Sequence, residues 1–206
     1  MFYNDPDDVT ALKETFKQIA HTTDGDQTSN PYQIYGSTHS IISNGNAVGS
    51  FNMDSSVGKD SVFSFSWSNG GTAPTFTVTS PSGTPYCTNT GSSCYNPSVV
   101  SVDSSLGTAA FRFSTTEVGQ WVYNIQTTST QLVSVMITSM ASSVGTPPIV
   151  AEAGLSATDV STGGQAIVVY AKVTQGHQAI TGAVVDAKIA STGGTVTTLR
   201  LVDTGS

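Results

Sequence analysis

Two cysteines and three histidines are the residues whose chemistry could define a site. Cys87 and Cys94 flank a polar stretch that contains Gly91, and the chain has 2 cysteines in all. A zinc site needs more ligands than this segment offers, whereas so short a separation suits a local disulfide. We therefore predict a Cys87–Cys94 disulfide, which implies an oxidising compartment. Two free thiols in a cytosolic loop are the alternative.

The histidines show no spacing that indicates a metal site or a catalytic relay. His21, His39 and His177 are far apart, so no two of them form the i, i+4 pair of a helical zinc site. The sequence contains no G-x-S-x-G element, although a Ser-His-Asp triad assembles in space and need not leave a motif. We predict surface or capping positions for all three, because an imidazole such as His21 suits the end of a helix.

The acidic residues do not show the ligand pattern of a cation-binding site either. Asp24-Gly25-Asp26 resembles the start of a calcium loop but lacks the later oxygen ligands and the closing glutamate. Asp103 and Asp159 lie in predicted turns, where aspartate bonds its own backbone. Asp60 and Glu117 precede predicted strands, and a bound cation there is the weaker alternative. We predict no catalytic residue, no metal ion and no cofactor.

The amino-acid composition limits the classes of binding partner that suit this chain. Charged residues make up 10% of the chain, against about a quarter in soluble proteins. Seven basic and 14 acidic residues give a net charge of -7, and the basic residues are scattered. Nucleic acid and an anionic membrane surface are therefore unsuitable partners. The chain has no apolar run of about 18 residues and no leader-like start, which indicates either a cytosolic protein or part of a longer one.

One segment has the pattern of an amphipathic helix. Val9, Leu12, Phe16 and Ile19 follow at spacings of 3, 4 and 3, which places them on one helical face over residues 9–20. The helix must bury this stripe, either on the β-domain or as the last helix of a domain that precedes it. Residues 21–37 are predicted to be a loop, so 1–37 form a helix-and-loop segment.

Residues 38–140 show the period of two that is typical of β-strands. In Phe63-Ser64-Phe65-Ser66-Trp67, for example, aromatic and hydroxyl residues alternate. About eight such segments separated by turn signals predict an antiparallel β-sandwich. The predicted strands lie near 38–43, 48–54, 63–67, 76–79, 98–102, 111–113, 121–125 and 133–137. Trp67 and Trp121 share faces with apolar residues and are predicted to lie in the core.

A second β-domain is predicted after a linker. Residues 141–148 are small and end in Pro147-Pro148, which does not suit a central strand. Residues 149–206 contain four alternating segments, and four strands rarely close a sandwich. We predict a partial Ig-like or fibronectin-III-like domain with an open edge. Its completion by another chain is one expectation.

Several stretches in one order resemble the calcium-activated chloride channel regulator family. The matching motifs are V-G-K-D-S-V-F at 57–63, the segment 76–83 and G-Q-W-V-Y at 119–123. They resemble the family region that follows its von Willebrand factor A domain. Residues 147–148, 169–176 and 196–203 resemble the family's next, fibronectin-III-like segment. The helix at 9–20 resembles the last helix of the A domain.

The resemblance implies a non-catalytic region of a secreted or cell-surface protein. The family's metalloprotease carries an H-E-x-x-H helix and its A domain a D-x-S-x-S site, and this chain has neither. Asp54-Ser55-Ser56 and Asp103-Ser104-Ser105 have the wrong spacing. The implied role is modulation of chloride conductance, or adhesion in mucus or matrix, through contacts with channel or matrix proteins. A structural module like those of hemicentin-type matrix proteins and an enzyme with a loop-assembled site are the alternatives.

Overall fold

A computed structural model describes residues 31–68, 72–143, 145–156, 167–175, 178–190 and 196–203. The predicted helix at 9–20 lies outside these ranges, as do His21, His177, Asp159 and residues 24–26, for which a polar turn is the prediction. The described residues form strands and turns, and all the strand pairs are antiparallel. The chain divides into two compact units, residues 1–146 and 147–206.

The first unit is a sandwich of two facing sheets. One sheet has the strand order β1-β9-β3-β7-β6 and the other the order β2-β8-β4-β5. The predicted antiparallel β-sandwich is therefore confirmed. The strands are β1 (Tyr32–Ile41), β2 (Asn46–Met53), β3 (Val57–Trp67), β4 (Thr75–Thr79), β5 (Pro85–Cys87), β6 (Val100–Asp103), β7 (Thr108–Thr115), β8 (Gly119–Gln126) and β9 (Gln131–Ala141).

Aromatic side chains from both sheets fill the space between them. Phe63 on β3 meets Trp121 on β8 edge to face, with ring centroids 5.1 Å apart. Phe65 and Phe76 lie 4.7 Å apart across the same interface. Such pairs contribute about 0.5–1.5 kcal/mol each beyond the burial of their area. Trp67 and Trp121 are buried in this cluster, as the alternation predicts.

The prediction of a loop up to residue 37 is wrong for its last residues. Strand β1 begins at Tyr32, which pairs with Ser139 on β9. A register shift between Gln33 and Tyr35 interrupts the alternation of side chains, so the period of two is hidden at the start of the strand. The three-residue strand β5 was also not predicted, because it is too short to show a period.

The second unit contains five short strands. They are β10 (Ile149–Leu155), β11 (Val169–Gln175), β12 (Gln178–Ala179), β13 (Val185–Ala190) and β14 (Val196–Leu201). The first three form one sheet and the last two form a hairpin. Four of these strands were predicted, and β12 is the addition. Between 149 and 203, no residue whose burial the structure describes is fully buried, in contrast to the dense core of the first unit.

Candidate functional site

The motif V-G-K-D-S-V-F forms a doubly irregular start to strand β3. Register shifts lie between Val57 and Lys59 and between Lys59 and Val62. Gly58 has φ +123° and Asp60 has φ +46°, which are backbone conformations that favour glycine and asparagine or aspartate. Asp60 therefore lies inside a strand, whereas the sequence placed it before one.

Three hydroxyl groups form a cluster at this irregular start of β3, and those of Ser139 and Thr116 bond to its backbone. The Ser61 hydroxyl lies 2.8 Å from that of Ser139 and 3.2 Å from that of Thr116. The Gly58 amide donates to Ser139 Oγ at 2.8 Å, and Thr116 Oγ1 donates to the Gly58 carbonyl at 3.1 Å. All three side chains are buried. The motif thus joins β3, β9 and the end of β7, and its role is structural.

The turn Ser80-Pro81-Ser82-Gly83 is tied to the connection between β7 and β8. Ser82 donates to the Glu117 carboxylate through its amide at 3.0 Å and its hydroxyl at 2.9 Å. The hydrogen bond from the Ser82 hydroxyl holds the pKa of Glu117 below its usual value. Trp121 Nε1 donates to the Glu117 carbonyl at 3.0 Å. Glu117 therefore fixes a turn and a core tryptophan together.

The predicted Cys87–Cys94 disulfide is present, with the two Cα atoms 5.3 Å apart. The Cys87 amide also donates to the Cys94 carbonyl at 3.1 Å. Cys87 is buried at the end of the edge strand β5, which pairs with β4 through only three residues. The disulfide thus fixes an edge strand that its short ladder would hold weakly.

A tyrosine–histidine cluster occupies the seam between the edge strands β1 and β2. The Tyr123 hydroxyl lies 3.0 Å from the Tyr35 hydroxyl and 2.7 Å from His39 Nε2. Burial raises the pKa of Tyr123 far above its usual value and lowers the pKa of His39. His39 is a half-buried member of this seam, whereas the sequence placed it at the surface or in a cap.

Gly49 provides the space that this cluster needs. It pairs with Tyr123 across β2 and β8, and the tyrosine ring lies directly over it. A Cβ atom at position 49 would overlap the Tyr123 hydroxyl and lie 2.7 Å from Cε1. A glycine inside a strand often marks such a close approach. A glycine within a predicted strand could have indicated a close approach at position 49. The sequence alone does not tell that the strand with Tyr123 lies opposite.

Asp103 belongs to a turn, in contrast to the groups of the seam. Asp103 Oδ1 accepts from the amides of Ser105 and Leu106, as expected for an aspartate in a turn. Within the described ranges, no three histidine, cysteine, aspartate or glutamate side chains are grouped as metal ligands. Among the described residues, His39 Nε2 forms its hydrogen bond with the Tyr123 hydroxyl.

No helix among the described residues has the length and apolar character required to span a membrane.

The fold and these contacts define the class: an antiparallel β-sandwich module with a local disulfide, followed by a second β-unit. No model of a known protein family matches the sequence. Calcium-activated chloride channel regulator 4 of Homo sapiens is 32% identical over 155 residues, covering 75% of this chain and 16% of that protein. Regulator 1 of Mus musculus is 33% identical over 161 residues, covering 77% and 16%. Regulator 2 of Homo sapiens is 27% identical over 208 residues, covering 100% and 21%.

The chain belongs to the calcium-activated chloride channel regulator family, as its motifs indicate. It spans between 16% and 21% of the length of these three relatives.

Proposed function

We propose that this chain is a non-catalytic, extracellular interaction and spacer region of a calcium-activated chloride channel regulator-like protein. The observation that carries the proposal is that the described polar side chains form hydrogen bonds within the sandwich. His39, Tyr123, Glu117 and Ser139 all hold strands or turns of the sandwich together. Such groups are committed to structure, which leaves the outer surfaces to act through protein contacts.

The disulfide supports an extracellular location. Cys87 and Cys94 are both paired, and the described chain has no free cysteine. Disulfides of this kind persist in oxidising compartments and are rare in the cytosol. The low share of charged residues, at 10%, is consistent with the same setting. The relatives are named as regulators of a chloride channel, and modulation of such a channel from outside the cell is the corresponding activity.

The second unit supplies a surface that could receive a partner strand. Strand β12 pairs only with Thr174 and Gln175 of β11, and the Ile180 amide adds one bond to the Val173 carbonyl. The preceding residues of β11 have no strand on that side within the described chain. We assign this unit to a fibronectin-III-like domain that an extended segment of another chain completes by strand addition.

Electrophysiology tests the regulatory part of the proposal. Purified chain applied to the outside of cells that express a calcium-activated chloride channel should change the current at fixed calcium concentration. The matched control is Phe63→Asp, which places a charge in the core and should abolish the effect. An unchanged current, combined with retention of matrix polymers and no channel protein on the immobilised chain, would favour the matrix module instead.

An activity screen tests the non-catalytic part. Hydrolase substrates incubated with the chain, with and without a chelator, should show no turnover above that of the Phe63→Asp variant. Turnover that depends on the folded chain would refute the proposal, and loss of that turnover with chelator would assign it to a metal site.

A further inference from the structure

Strand β2 is a long edge strand without the features that normally keep such an edge from pairing. It lies at the end of the four-stranded sheet, pairs with β8 in one continuous register and contains no charged residue or proline. The other edges of the sandwich differ: β1 has a register shift, β5 has three residues including Pro85, and β6 has four residues and ends at Asp103. Charge, proline, irregularity and short length all protect an edge, and β2 has none of these.

The hydrogen-bond pattern shows which backbone groups of β2 point away from its sheet. The Gly45 carbonyl accepts from the Thr127 amide at 3.1 Å, at the start of the ladder between β2 and β8. In an antiparallel ladder, residues that bond the neighbouring strand alternate with residues whose amide and carbonyl point to the other side. No described strand lies on that other side of β2. The residues that point there are Asn46, Val48, Ser50 and Asn52, and all of them are exposed.

We propose that β2 pairs with β2 of a second copy of this chain, antiparallel about a two-fold axis at Gly49. In this register Val48 lies opposite Ser50 of the second copy, and Asn46 lies opposite Asn52. Each residue that points outward then meets another that points outward, which gives about eight hydrogen bonds between the two backbones. The asparagine amides at both ends add a polar pair across the strands. A two-fold axis requires such a self-complementary surface.

The distribution of charge favours a second copy as the occupant of this edge. The chain has a net charge of -7, yet the strands of the four-stranded sheet, β2, β8, β4 and β5, contain no charged residue. Two such sheets can therefore join without bringing like charges together. Asp54, the first charged residue after β2, would lie beside Asn44 of the second copy and not beside another acid.

Gly49 suits the position at the axis. The Cα atoms of a non-hydrogen-bonded antiparallel pair come within about 4.5 Å of each other. Gly49 of one copy would meet Gly49 of the other there, and neither has a side chain that would hold the strands apart.

Sedimentation velocity of the intact chain over a range of concentrations tests the proposal. The native chain should form a dimer. Ser50→Lys should raise the dissociation constant at least about tenfold, because the lysines of the two copies would lie diagonally across the axis and repel each other. The matched control is Ser101→Lys, which adds the same charge at an exposed position of the edge strand β6 and should leave the dissociation constant unchanged.

A mixture of two variants tests the register. Val48→Asp should also weaken self-association, because its carboxylates would approach each other across the axis. Mixed with Ser50→Lys, it should restore the dimer, since positions 48 and 50 lie opposite each other and the introduced charges are of opposite sign. Asn52→Asp mixed with Ser50→Lys should not restore it, because position 52 pairs with position 46.

Three results would overturn the proposal. A native chain that stays monomeric at every concentration would exclude a second copy and leave the edge to a strand of different sequence. A dimer that Ser50→Lys does not weaken would assign self-association to another surface. Recovery of the dimer with Asn52→Asp in place of Val48→Asp would contradict the pairing about Gly49.

Discussion

The contact between Gly49 and Tyr123 gives the sharpest test of how this sandwich is closed. We expect Gly49→Ala to destabilise the first unit, because the added methyl would overlap the tyrosine ring. Overpacking of this kind costs about 1–3 kcal/mol. Displacement of the ring also weakens the two hydrogen bonds that join the Tyr123 hydroxyl with Tyr35 and with His39, each worth about 0.5–1.5 kcal/mol. The expected loss is therefore about 3 kcal/mol.

The effect of Gly49→Ala on the free energy of unfolding should change sign when the tyrosine is absent. In a Tyr123→Val background the ring no longer lies over position 49. Alanine is then favoured over glycine inside a strand by about 0.5–1 kcal/mol. The double-mutant cycle between Gly49→Ala and Tyr123→Val should thus give a coupling energy of more than about 2 kcal/mol, which direct neighbours can reach.

Urea unfolding followed by tryptophan fluorescence is a suitable assay. The chain has 2 tryptophans, Trp67 and Trp121, and both lie in the core of the first unit. The signal therefore reports that unit and not the second. The matched control is Gly91→Ala, since a Cβ there would only meet Asn89 Oδ1 at 3.6 Å. Equal losses for Gly49→Ala and Gly91→Ala, or simple additivity in the cycle, would refute the close approach.

Three further predictions concern the disulfide, the buried hydroxyls and Glu117. Replacing Cys87 and Cys94 by serine should lower the stability of the first unit by about 2.5 kcal/mol on the chain-entropy model, and alkylation with mass spectrometry should find no free thiol in the native chain. Ser139→Ala should cost about 1–3 kcal/mol in urea unfolding, because it leaves the Gly58 amide without its acceptor, whereas the exposed Ser101→Ala should change stability by less than about 0.5 kcal/mol. The lowered pKa of Glu117 stabilises the fold above its unfolded pKa of 4.5. This contribution is lost as pH falls through the folded value, so the stability difference between the native chain and Glu117→Gln should shrink below pH 4.5, and a constant difference would contradict it.

Local patterns in the sequence predicted the elements that depend on neighbouring residues. The alternation in 63–67 and 121–125 indicated strands with one buried face, and both segments lie in the core. The short separation of Cys87 and Cys94 indicated the disulfide. These features follow from side-chain direction and chain length over a few residues, so they are readable without knowledge of the fold.

The pairing of the strands and the seam between β1 and β2 could be identified only from the tertiary structure. The Ser61–Ser139 pair, the Gly49–Tyr123 pair and the bond between His39 and Tyr123 join residues that are 78, 74 and 84 positions apart. No periodic pattern encodes such a pairing, because many registers of the same strands bury equally apolar faces. The start of β1 at Tyr32 belongs to this group, since pairing with β9 defines it.

The sequence by itself thus determined most of the longer strands, the sandwich class, the disulfide and the family, because each depends on composition, spacing or ordered motifs. Only the tertiary structure decided that Tyr123, Tyr35 and His39 meet at one edge and that three hydroxyls repair the irregular start of β3. The physical reason is that alternation fixes which face of a strand is buried, while long-range packing selects its neighbour.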